Sequence, residues 1–465
     1  MRRLNSIDAR FLDLDAPETP RHVASLSILE PGDTPLDYER LLQTISDRID
    51  IVHRYRQKVV HVPGAINFPV WVDDEDFDLS FHVRRSALPA PGSMDSLLEL
   101  VSRLIARRLD HDRPLWELYL IEGLRGGRSA LLVKSHQALV DGSETIDLAQ
   151  VLLEETPYEK TIPEDVWTPR PQPSRRQLVL ESVAHTIKNP LHALDLASEA
   201  LEKVSAMIPV VRRSVAQSPL LGNPSRYRRI ATATTKLSDY RLVRDQHGGT
   251  VNDVILATVS GALRAWMLTR GDESKVQSNI RAMVPMSVTD DEGLPTSLGS
   301  KVVGRLMNLP VSESNPVVRL HQVSYALKEH HEAGSATSAN KLASLPGFAT
   351  STFHAVGARV AEINPNLKYH ILITNVPGPQ DPVYVAGQKV QQVYPCLPLG
   401  DDRVLSIGVT SYEGKVYFGI VANREEVPAV KLLSQLIVES LEELVDTVKS
   451  PRQRAPRGRQ KPSRK

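Results

Sequence analysis

Apolar residues recur with helical spacing in two stretches of the first third of the chain. The first stretch contains Leu41, Leu42, Ile45 and Ile49, and the second contains Leu97, Leu98, Val101, Ile105 and Leu109. Recurrence at intervals of three and four residues predicts an amphipathic helix in each stretch. Short runs of apolar and β-branched residues around them predict strands at residues 23–29, 70–72, 118–121 and 130–133. Because strand and helix alternate, we expect an α/β layer.

The second half of the chain repeats this alternation. Thr250 can cap the N-terminus of a helix, and Asp253, three residues later, can bond back to it. We expect this helix to end at Gly271, since a left-handed residue is favoured after a helix C-terminus. Further strands are predicted at residues 280–284, 369–374, 405–410 and 416–420, before a closing helix at residues 429–448. The pattern therefore predicts an α/β fold class in both halves.

Prolines separate the two halves. They follow Glu154 at positions 157, 163, 169, 171 and 173, where they interrupt any regular element and mark a connector. Residues 178–218 then have a broken helical pattern, which fits a crossover, a lipid-facing surface or a helix packed on the domains. We assign residues 1–155 to an N-terminal domain, 156–245 to a proline-interrupted helical connector, 246–450 to a C-terminal domain and 451–465 to a basic disordered tail.

Composition indicates a water-soluble protein of a reducing compartment. Hydrophobic residues make up 41% of the chain and charged residues 24%, and no apolar run reaches membrane-spanning length. The single cysteine, Cys396, cannot form an internal disulfide, and no cysteine cluster suits zinc. Residues 451–465 carry seven positive charges and no acid, which leaves 49 basic against 55 acidic residues in the rest. This tail suits an anionic membrane surface or remains a solvated segment.

Several short motifs occur along the chain in a fixed order. They are Ile7-Asp8, Trp71-Val72-Asp73-Asp74, Arg113-Pro114-Leu115-Trp116-Glu117, His136-Gln137-Ala138-Leu139-Val140-Asp141-Gly142, Asn252-Asp253-Val254, Val284-Pro285-Met286-Ser287 and Thr374-Asn375-Val376-Pro377-Gly378-Pro379. In this order and spacing they resemble the landmarks of the bacterial wax ester synthase and diacylglycerol acyltransferase family, which includes the mycobacterial triacylglycerol synthases. The run that begins at His136 is similar to the family's HHxxxDG signature. The resemblance spans nearly the whole chain up to the basic tail.

The resemblance implies a fold and a set of site residues. The fold would be two domains like those of CoA-dependent acyltransferases, with mixed sheets flanked by helices, the motif loop at the domain interface and a tunnel for both substrates. The implied catalytic positions are His136, Gln137, Asp141 and Gly142. The implied substrate-binding positions are Asn252, Asp253, Asn375, Pro377 and Gly378. No metal and no bound cofactor are expected, because acyl-CoA would be a substrate.

Gln137 is the main departure from the family signature. Acyl transfer from a thioester to a hydroxyl needs a base that removes the hydroxyl proton, and the second histidine of the signature has that role in the family. A glutamine amide cannot take up a proton at neutral pH. His136 could replace the base only if the strand bulges, because successive strand residues face opposite sides; otherwise it is a buried structural residue. His82 and His111 are other titratable candidates.

Two functions remain open. The first is an acyl-CoA-dependent O-acyltransferase of neutral-lipid synthesis, weakened by Gln137, that makes triacylglycerol or wax ester. The alternative is a non-catalytic acyl-CoA or lipid-binding member of the family. Expected partners are acyl-CoA, with diacylglycerol or a long-chain alcohol, and an anionic membrane or lipid-droplet surface that binds the basic tail; no nucleic acid is expected. We expect a cytoplasmic protein, peripheral at the inner face of the membrane or on lipid droplets.

Overall fold

A computed structural model describes residues 2–32, 36–141, 145, 147–157, 167–188, 218–271, 280–288, 301–329, 337–338, 350–363 and 368–449. Within these residues the chain forms two large β-sheets and one small sheet. The small sheet contains β1 (Arg2–Arg3), β3 (Gln57–Val60) and β4 (Val70–Asp73). The predicted tail and residues 158–166 and 189–217 of the predicted connector lie outside the described residues. None of the helices in the described ranges has the length and apolar character needed to cross a membrane.

The first large sheet has six strands. They are β2 (His22–Leu29), β5 (Val83–Ala87), β6 (Trp116–Leu124), β7 (Arg128–His136), β13 (Tyr384–Val385) and β14 (Gln388–Cys396). Their order across the sheet is β13-β14-β2-β7-β6-β5, with β5 and β6 parallel and the other pairs antiparallel. The four strands predicted in this half are confirmed, although each is one or more residues longer than its apolar run. β2 and β7 lie side by side, so His22 is opposite His136.

Helices of the first half pack on this sheet and on the small one. They are α1 (Ser6–Asp13), α2 (Tyr38–Ser46), α3 (Leu79–His82), α4 (Met94–Ile105), α5 (Leu148–Val151) and α6 (Arg175–Lys188). The side chains of Asp37 and Ser93 cap the N-termini of α2 and α4, which explains why these helices begin there. The helix predicted from Leu41 to Ile49 ends at Ser46 and continues as a 3-10 segment, Ile49–Arg56.

The second large sheet has seven strands. They are β8 (Arg228–Lys236), β9 (Ile280–Val288), β10 (Lys301–Leu309), β11 (Thr337–Ser338), β12 (Ile371–Pro377), β15 (Leu405–Tyr412) and β16 (Lys415–Asn423). Their order is β11-β10-β9-β12-β15-β16-β8, and β12 is parallel to both of its neighbours. The accompanying helices are α7 (Leu237–His247), α8 (Val251–Thr269), α9 (Pro316–Glu329), α10 (Thr350–Ile363) and α11 (Val430–Lys449). The predicted cap of α8 is confirmed, since Thr250 and Asp253 form a capping box, and Gly271 adopts φ +71°.

Two segments belong to a different part of the fold from the one that their domain assignments predict. Residues 228–247, assigned to the connector, form β8 and α7 and belong to the second sheet and its helical layer. β13 and β14, assigned to the C-terminal domain, pair into the first sheet beside β2. β14 is rich in polar residues and β8 in threonine and charged residues, so neither has the apolar run by which the other strands were predicted.

β14, which pairs into the first sheet, brings the two sheets into close contact at a pair of glycines. Gly408 and Gly419 are register partners on β15 and β16, and both face Pro395 of β14. A Cβ atom on Gly419 would lie 1.8 Å from the carbonyl oxygen of Pro395, and one on Gly408 would lie 2.7 Å from its Cβ atom. Only glycine permits this approach, because any side chain would collide with the crossing strand.

Candidate active site

The motif loop begins where β7 ends, and backbone hydrogen bonds fix its start. The His136 N–H donates to the Leu115 carbonyl at 3.0 Å, and the Gln137 N–H donates to the Arg21 carbonyl at 2.9 Å. The Leu139 N–H then turns back to the His136 carbonyl at 2.9 Å. The loop is therefore held between β2, β6 and its own turn. Gly142, predicted as a catalytic position, lies outside the described residues.

His136 is a buried residue whose ring makes one hydrogen bond, through Nδ1, and whose Nε2 has no hydrogen-bond partner among the described residues. Its side chain is 1% exposed, and its Nδ1 accepts from the Ala138 N–H at 3.1 Å. A neutral ring that accepts at Nδ1 carries its proton on Nε2, which lies 3.9 Å from Asp15 Oδ2. Burial lowers the pKa of His136 to about 3, although the Asp15 carboxylate partly opposes this. His136 is thus a neutral ring directed at Asp15, and this geometry fits the structural role rather than rescue of the base.

Asp15 accepts hydrogen bonds from three donors. Its carboxylate accepts from His111 Nε2 at 2.7 Å, from Arg108 Nε at 3.0 Å and from the Arg21 N–H at 2.8 Å. Burial works against ionisation, but the His111 hydrogen bond, the nearby His136 ring and the other donors hold the pKa of Asp15 well below its usual range. The cluster is therefore an anion surrounded by donors.

The same cluster does not fit a metal ion. Possible ligand atoms of Asp15, His111 and His136 lie within 4.8 Å of one another. However, Arg108 donates to the carboxylate oxygen that a metal would need. His136 would also have to move its proton to Nδ1 and lose the hydrogen bond from Ala138. We therefore assign this cluster to the support of the motif loop.

Gln137 has a satisfied backbone and an unsatisfied side chain. Its carbonyl accepts from Arg359 Nη1 of α10 at 2.8 Å. The side chain is buried, and neither Oε1 nor Nε2 has a hydrogen-bond partner among the described residues. Leaving a buried amide unpaired costs about 1–3 kcal/mol, so such groups are uncommon away from functional sites. The side chain lies at the position where the family's base is expected, and its amide has no hydrogen-bond partner among the described residues.

α10 and α1 support the loop from the opposite side. Arg359 forms a buried ion pair with Asp8 at 2.5 Å and stacks over Phe11. Burial raises the pKa of Asp8, and the Arg359 charge opposes that rise. Asp141 accepts the Thr145 N–H at 2.9 Å, so its carboxylate positions Thr145. The implied catalytic role of Asp141 remains a prediction.

The five predicted substrate-binding residues form two small groups. Asn375 Nδ2 donates to Asn252 Oδ1 at 2.9 Å, which joins β12 to the start of α8. Asp253 is occupied by the capping box and by a 2.7 Å hydrogen bond from Ser324. Pro377 is the last residue of β12 and is exposed, and Gly378 follows it. The structure thus brings Asn252 and Asn375 together, gives Asp253 a structural task and leaves the assignment of all five to substrate as a prediction.

A pocket that the sequence did not predict lies between the two sheets. Residues of β2, β14, β15 and α10 line it together with Asp147: Val23, Ala24, Ser25, Thr350, Ser351, His354, Val393, Pro395 and Thr410. Asp147 is fixed beside the loop, because its N–H donates to Thr352 Oγ1 at 2.9 Å. Burial raises the pKa of the Asp147 carboxyl, while hydrogen bonds from Ser135 and from the Ala149 N–H oppose the rise. The tunnel implied by the family resemblance remains a prediction.

His354 is the functional candidate that the sequence interpretation missed. It lies on α10, is 2% exposed and lines the pocket, and its Nε2 has no hydrogen-bond partner among the described residues. The available signal was a lone histidine among small and apolar residues in Thr350–Ile363. That signal is weak, because such a histidine is usually a satisfied core residue.

The fold places the chain in a structural class. A condensation domain of the calcium-dependent antibiotic synthetase superposes with a TM-score of 0.55 and covers 97% of both chains. The two share 14% sequence identity, so the likeness concerns the fold alone. The class is the two-domain α/β fold of CoA-dependent-acyltransferase-like proteins, as predicted.

The chain belongs to the wax ester synthase/diacylglycerol acyltransferase family. Residues 4–255 match the catalytic domain of that family, and residues 298–445 match its C-terminal domain. These matches confirm the resemblance seen in the motifs.

Relatives and a solved structure agree with this membership. The chain is 31% identical over 461 residues to a probable diacylglycerol O-acyltransferase, tgs1, of Mycobacterium tuberculosis, and 96% of each chain is covered. It is 41% identical over 260 residues to the probable diacylglycerol O-acyltransferase tgs3 of the same organism, which covers 53% of this chain and 96% of the relative. The wax ester synthase/diacylglycerol acyltransferase from Marinobacter aquaeolei VT8 superposes with a TM-score of 0.67 at 27% identity, over 96% of this chain and 100% of that one.

Proposed function

We propose that the chain is an acyl-CoA-dependent O-acyltransferase of neutral-lipid synthesis whose turnover is weakened by Gln137. The observation that carries this proposal is the similarity to a probable diacylglycerol O-acyltransferase along 96% of both chains. The acyl acceptor is diacylglycerol, which gives triacylglycerol, or a long-chain alcohol, which gives a wax ester. The alcohol oxygen forms a bond to the thioester carbon, the carbon–sulfur bond breaks, and the CoA thiol leaves with the proton from the hydroxyl.

The replacement of the family's histidine base by Gln137 favours weak rather than full activity. General-base catalysis contributes about 10²–10⁴ in rate, while positioning of two substrates and stabilisation of the oxyanion persist without it. His136 is neutral and directed at Asp15, so it supplies no replacement base in this arrangement. Residual turnover then depends on how well the remaining groups position the two substrates.

The test is release of free CoA by the purified protein. We expect slow release that requires both acyl-CoA and an acceptor alcohol, assayed with diacylglycerol and with long-chain alcohols over several acyl-chain lengths. Omission of the acceptor separates transfer from thioester hydrolysis. No acceptor-dependent release under any of these conditions would contradict the proposal.

A second candidate is a binding protein that retains the pocket but has lost catalysis. The buried, unpaired amide of Gln137 favours it, because that group cannot act as a base. Binding of acyl-CoA with the thioester left intact is the outcome expected of this candidate. Acceptor-dependent CoA release excludes it.

Peripheral attachment to a lipid surface is part of the proposal. The exposed apolar side chains of Leu180 and Val183 on α6, 69% and 47% accessible, support it together with the basic residues 451–465. We expect the protein to float with anionic phospholipid vesicles and to be released by high salt. Equal flotation with neutral vesicles would contradict a role for the tail.

A further inference from the structure

His354 lines the pocket between the sheets and has one ring nitrogen without a hydrogen-bond partner among the described residues. Its Nε2 is buried and has no hydrogen-bond partner among the described residues, although Asp147 and Thr410 line the same pocket. An unpaired buried polar atom is costly, and a ligand that bonds to it recovers that cost. Because His354 lines this pocket, a polar group of a ligand that binds there could recover the cost by a hydrogen bond to Nε2.

The partner of the other ring nitrogen determines what Nε2 offers. Nδ1 of His354 lies 2.6 Å from Thr374 Oγ1, and that hydroxyl has no other partner in the described part of the chain. If the hydroxyl donates to Nδ1, only the Nε2–H remains unsatisfied. If Nδ1 donates instead, both the hydroxyl proton and the Nε2 lone pair lack partners. The first arrangement leaves fewer unsatisfied groups, so Nε2 carries the proton and is a donor.

The same helix holds the motif loop in place. Thr352 accepts from the Asp147 N–H at 2.9 Å, and Arg359 donates to the Gln137 carbonyl at 2.8 Å. His354 lies between these two contacts along α10, so it has a fixed position relative to the loop. Its donor is thus preorganised on a rigid element and does not have to move into place.

We propose that the Nε2–H of His354 binds the carbonyl oxygen of the acyl thioester and stabilises the oxyanion that forms when the alcohol attacks. The inference rests on the acyltransferase function proposed above, and it assigns the acyl carbonyl to this pocket. His354 donates a hydrogen bond throughout and transfers no proton. The proton of the alcohol ends on the CoA thiol, as in the overall reaction.

A neutral imidazole suits this role. Burial lowers the pKa of His354 to about 3, so the ring stays uncharged at physiological pH. A neutral ring does not surrender its proton to the oxyanion, and the low-dielectric pocket strengthens the hydrogen bond as negative charge develops. Gln137 and His354 then differ in role, because the first stands at the place of the lost base and the second stabilises the acyl oxygen.

The test compares two ligands on three variants. The ligands are a long-chain acyl-CoA and the matching alkyl-CoA thioether, which lacks the carbonyl group. We expect His354→Leu to weaken binding of the acyl-CoA about tenfold and to leave binding of the thioether unchanged. His354→Gln, whose amide can place a donor near the same point, should recover most of the binding. Where wild-type turnover is measurable, His354→Leu should lower kcat about 10²–10³-fold.

His82→Leu is the matched control. His82 is equally buried, bonds to the Trp116 carbonyl through Nδ1 and leaves Nε2 without a partner, but it does not line the pocket. It should lose stability without discriminating between the two ligands. Equal weakening of acyl-CoA and thioether binding by His354→Leu, or the same discrimination by His82→Leu, overturns the inference. These binding measurements test the role of His354 even if the wild-type protein shows no turnover. If the protein turns over substrate but His354→Leu does not distinguish acyl-CoA from the thioether, the inference about His354 fails and the acyltransferase proposal stands.

Discussion

At the scale of single residues, two neighbours on β7 and its loop have opposite environments. His136 Nδ1 accepts from the Ala138 N–H and its Nε2 lies 3.9 Å from Asp15 without a hydrogen bond, whereas neither polar atom of the Gln137 amide has a partner among the described residues. Strand alternation accounts for this difference, because the two side chains leave the backbone on opposite sides. His136 therefore does not replace the base that we propose to be missing at position 137.

The unpaired amide gives the first prediction. Gln137→Met keeps the length of the side chain but removes two buried polar atoms that have no partners, so it should raise the free energy of unfolding by about 1 kcal/mol. Gln150→Met is the control, because Gln150 Oε1 accepts from Thr352 at 3.0 Å and its loss should destabilise the protein. Urea unfolding curves measure both changes. A destabilised Gln137→Met protein would mean that the amide has a partner in the folded chain.

At the scale of elements, sequence patterns predict those segments whose signals are local. α8 follows from its capping box, and β7 follows from its apolar run. α10 carries no such signal, since Thr350, Thr352 and Gly357 are poor helix formers. Its stability comes from contacts with both sheets, which a sequence pattern does not reveal. The pocket and His354 depend on α10, so they could not be predicted either.

The ion pair between α10 and α1 gives an element-scale prediction. Arg359→Met leaves the buried Asp8 carboxylate without its partner, so it should cost about 3–5 kcal/mol of stability near neutral pH. Adding Asp8→Leu should recover much of that loss, because no buried charge then remains. Lys431→Met removes an ion pair with Asp95 whose side chains are 68% and 71% exposed, so it should cost less than about 1 kcal/mol. Equal losses of stability in Arg359→Met and Lys431→Met would contradict the claim that the buried Arg359–Asp8 ion pair supports the motif loop.

At the scale of the whole molecule, the two halves are joined by a strand as well as by a connector. β14 comes from the second half of the chain and pairs with β2 of the first sheet, while Pro395 lies against Gly408 and Gly419 of the second. The motif resemblance predicted the fold class and the family. The strand exchange was not predicted, because it depends on pairing between residues that are far apart in sequence.

The glycine contact can be tested directly. Gly419→Ala puts a methyl group where the Pro395 carbonyl lies, so the crossing strand must move, and we expect a loss of about 1–3 kcal/mol or more. Gly271→Ala adds the same methyl group in open space at φ +71°, so it should cost only about 1–2 kcal/mol for the left-handed backbone. Acyl-CoA binding should fall in the first variant alone. Unchanged stability and binding in Gly419→Ala would contradict the close approach.

Buried histidines predict a dependence of stability on pH. Burial lowers the pKa of His136 and His354 to about 3, while both titrate near 6.5 when the chain is unfolded. The unfolded state therefore binds more protons below pH 6.5, and the stability that these neutral rings provide is lost as the pH falls from about 6.5 to about 3. Each contributes a slope of about 1.4 kcal/mol per pH unit.

Urea unfolding between pH 5.5 and 4.5 measures this slope. His354→Leu should show a shallower slope by about 1.4 kcal/mol per pH unit than the wild-type protein, because one proton fewer is taken up on unfolding. An unchanged slope in His354→Leu would mean that its ring is protonated in the folded protein.

Turnover of Gln137→His tests the central claim most directly. A histidine at position 137 restores a side chain that can take up the proton of the alcohol, in a protein whose other site residues are unchanged. We predict that acceptor-dependent CoA release by the purified variant exceeds that of the wild-type protein by about 10²–10⁴-fold, with acyl-CoA binding unaltered. A folded variant that binds acyl-CoA as the wild-type protein does, yet releases CoA no faster, would contradict the claim that the missing base limits this chain.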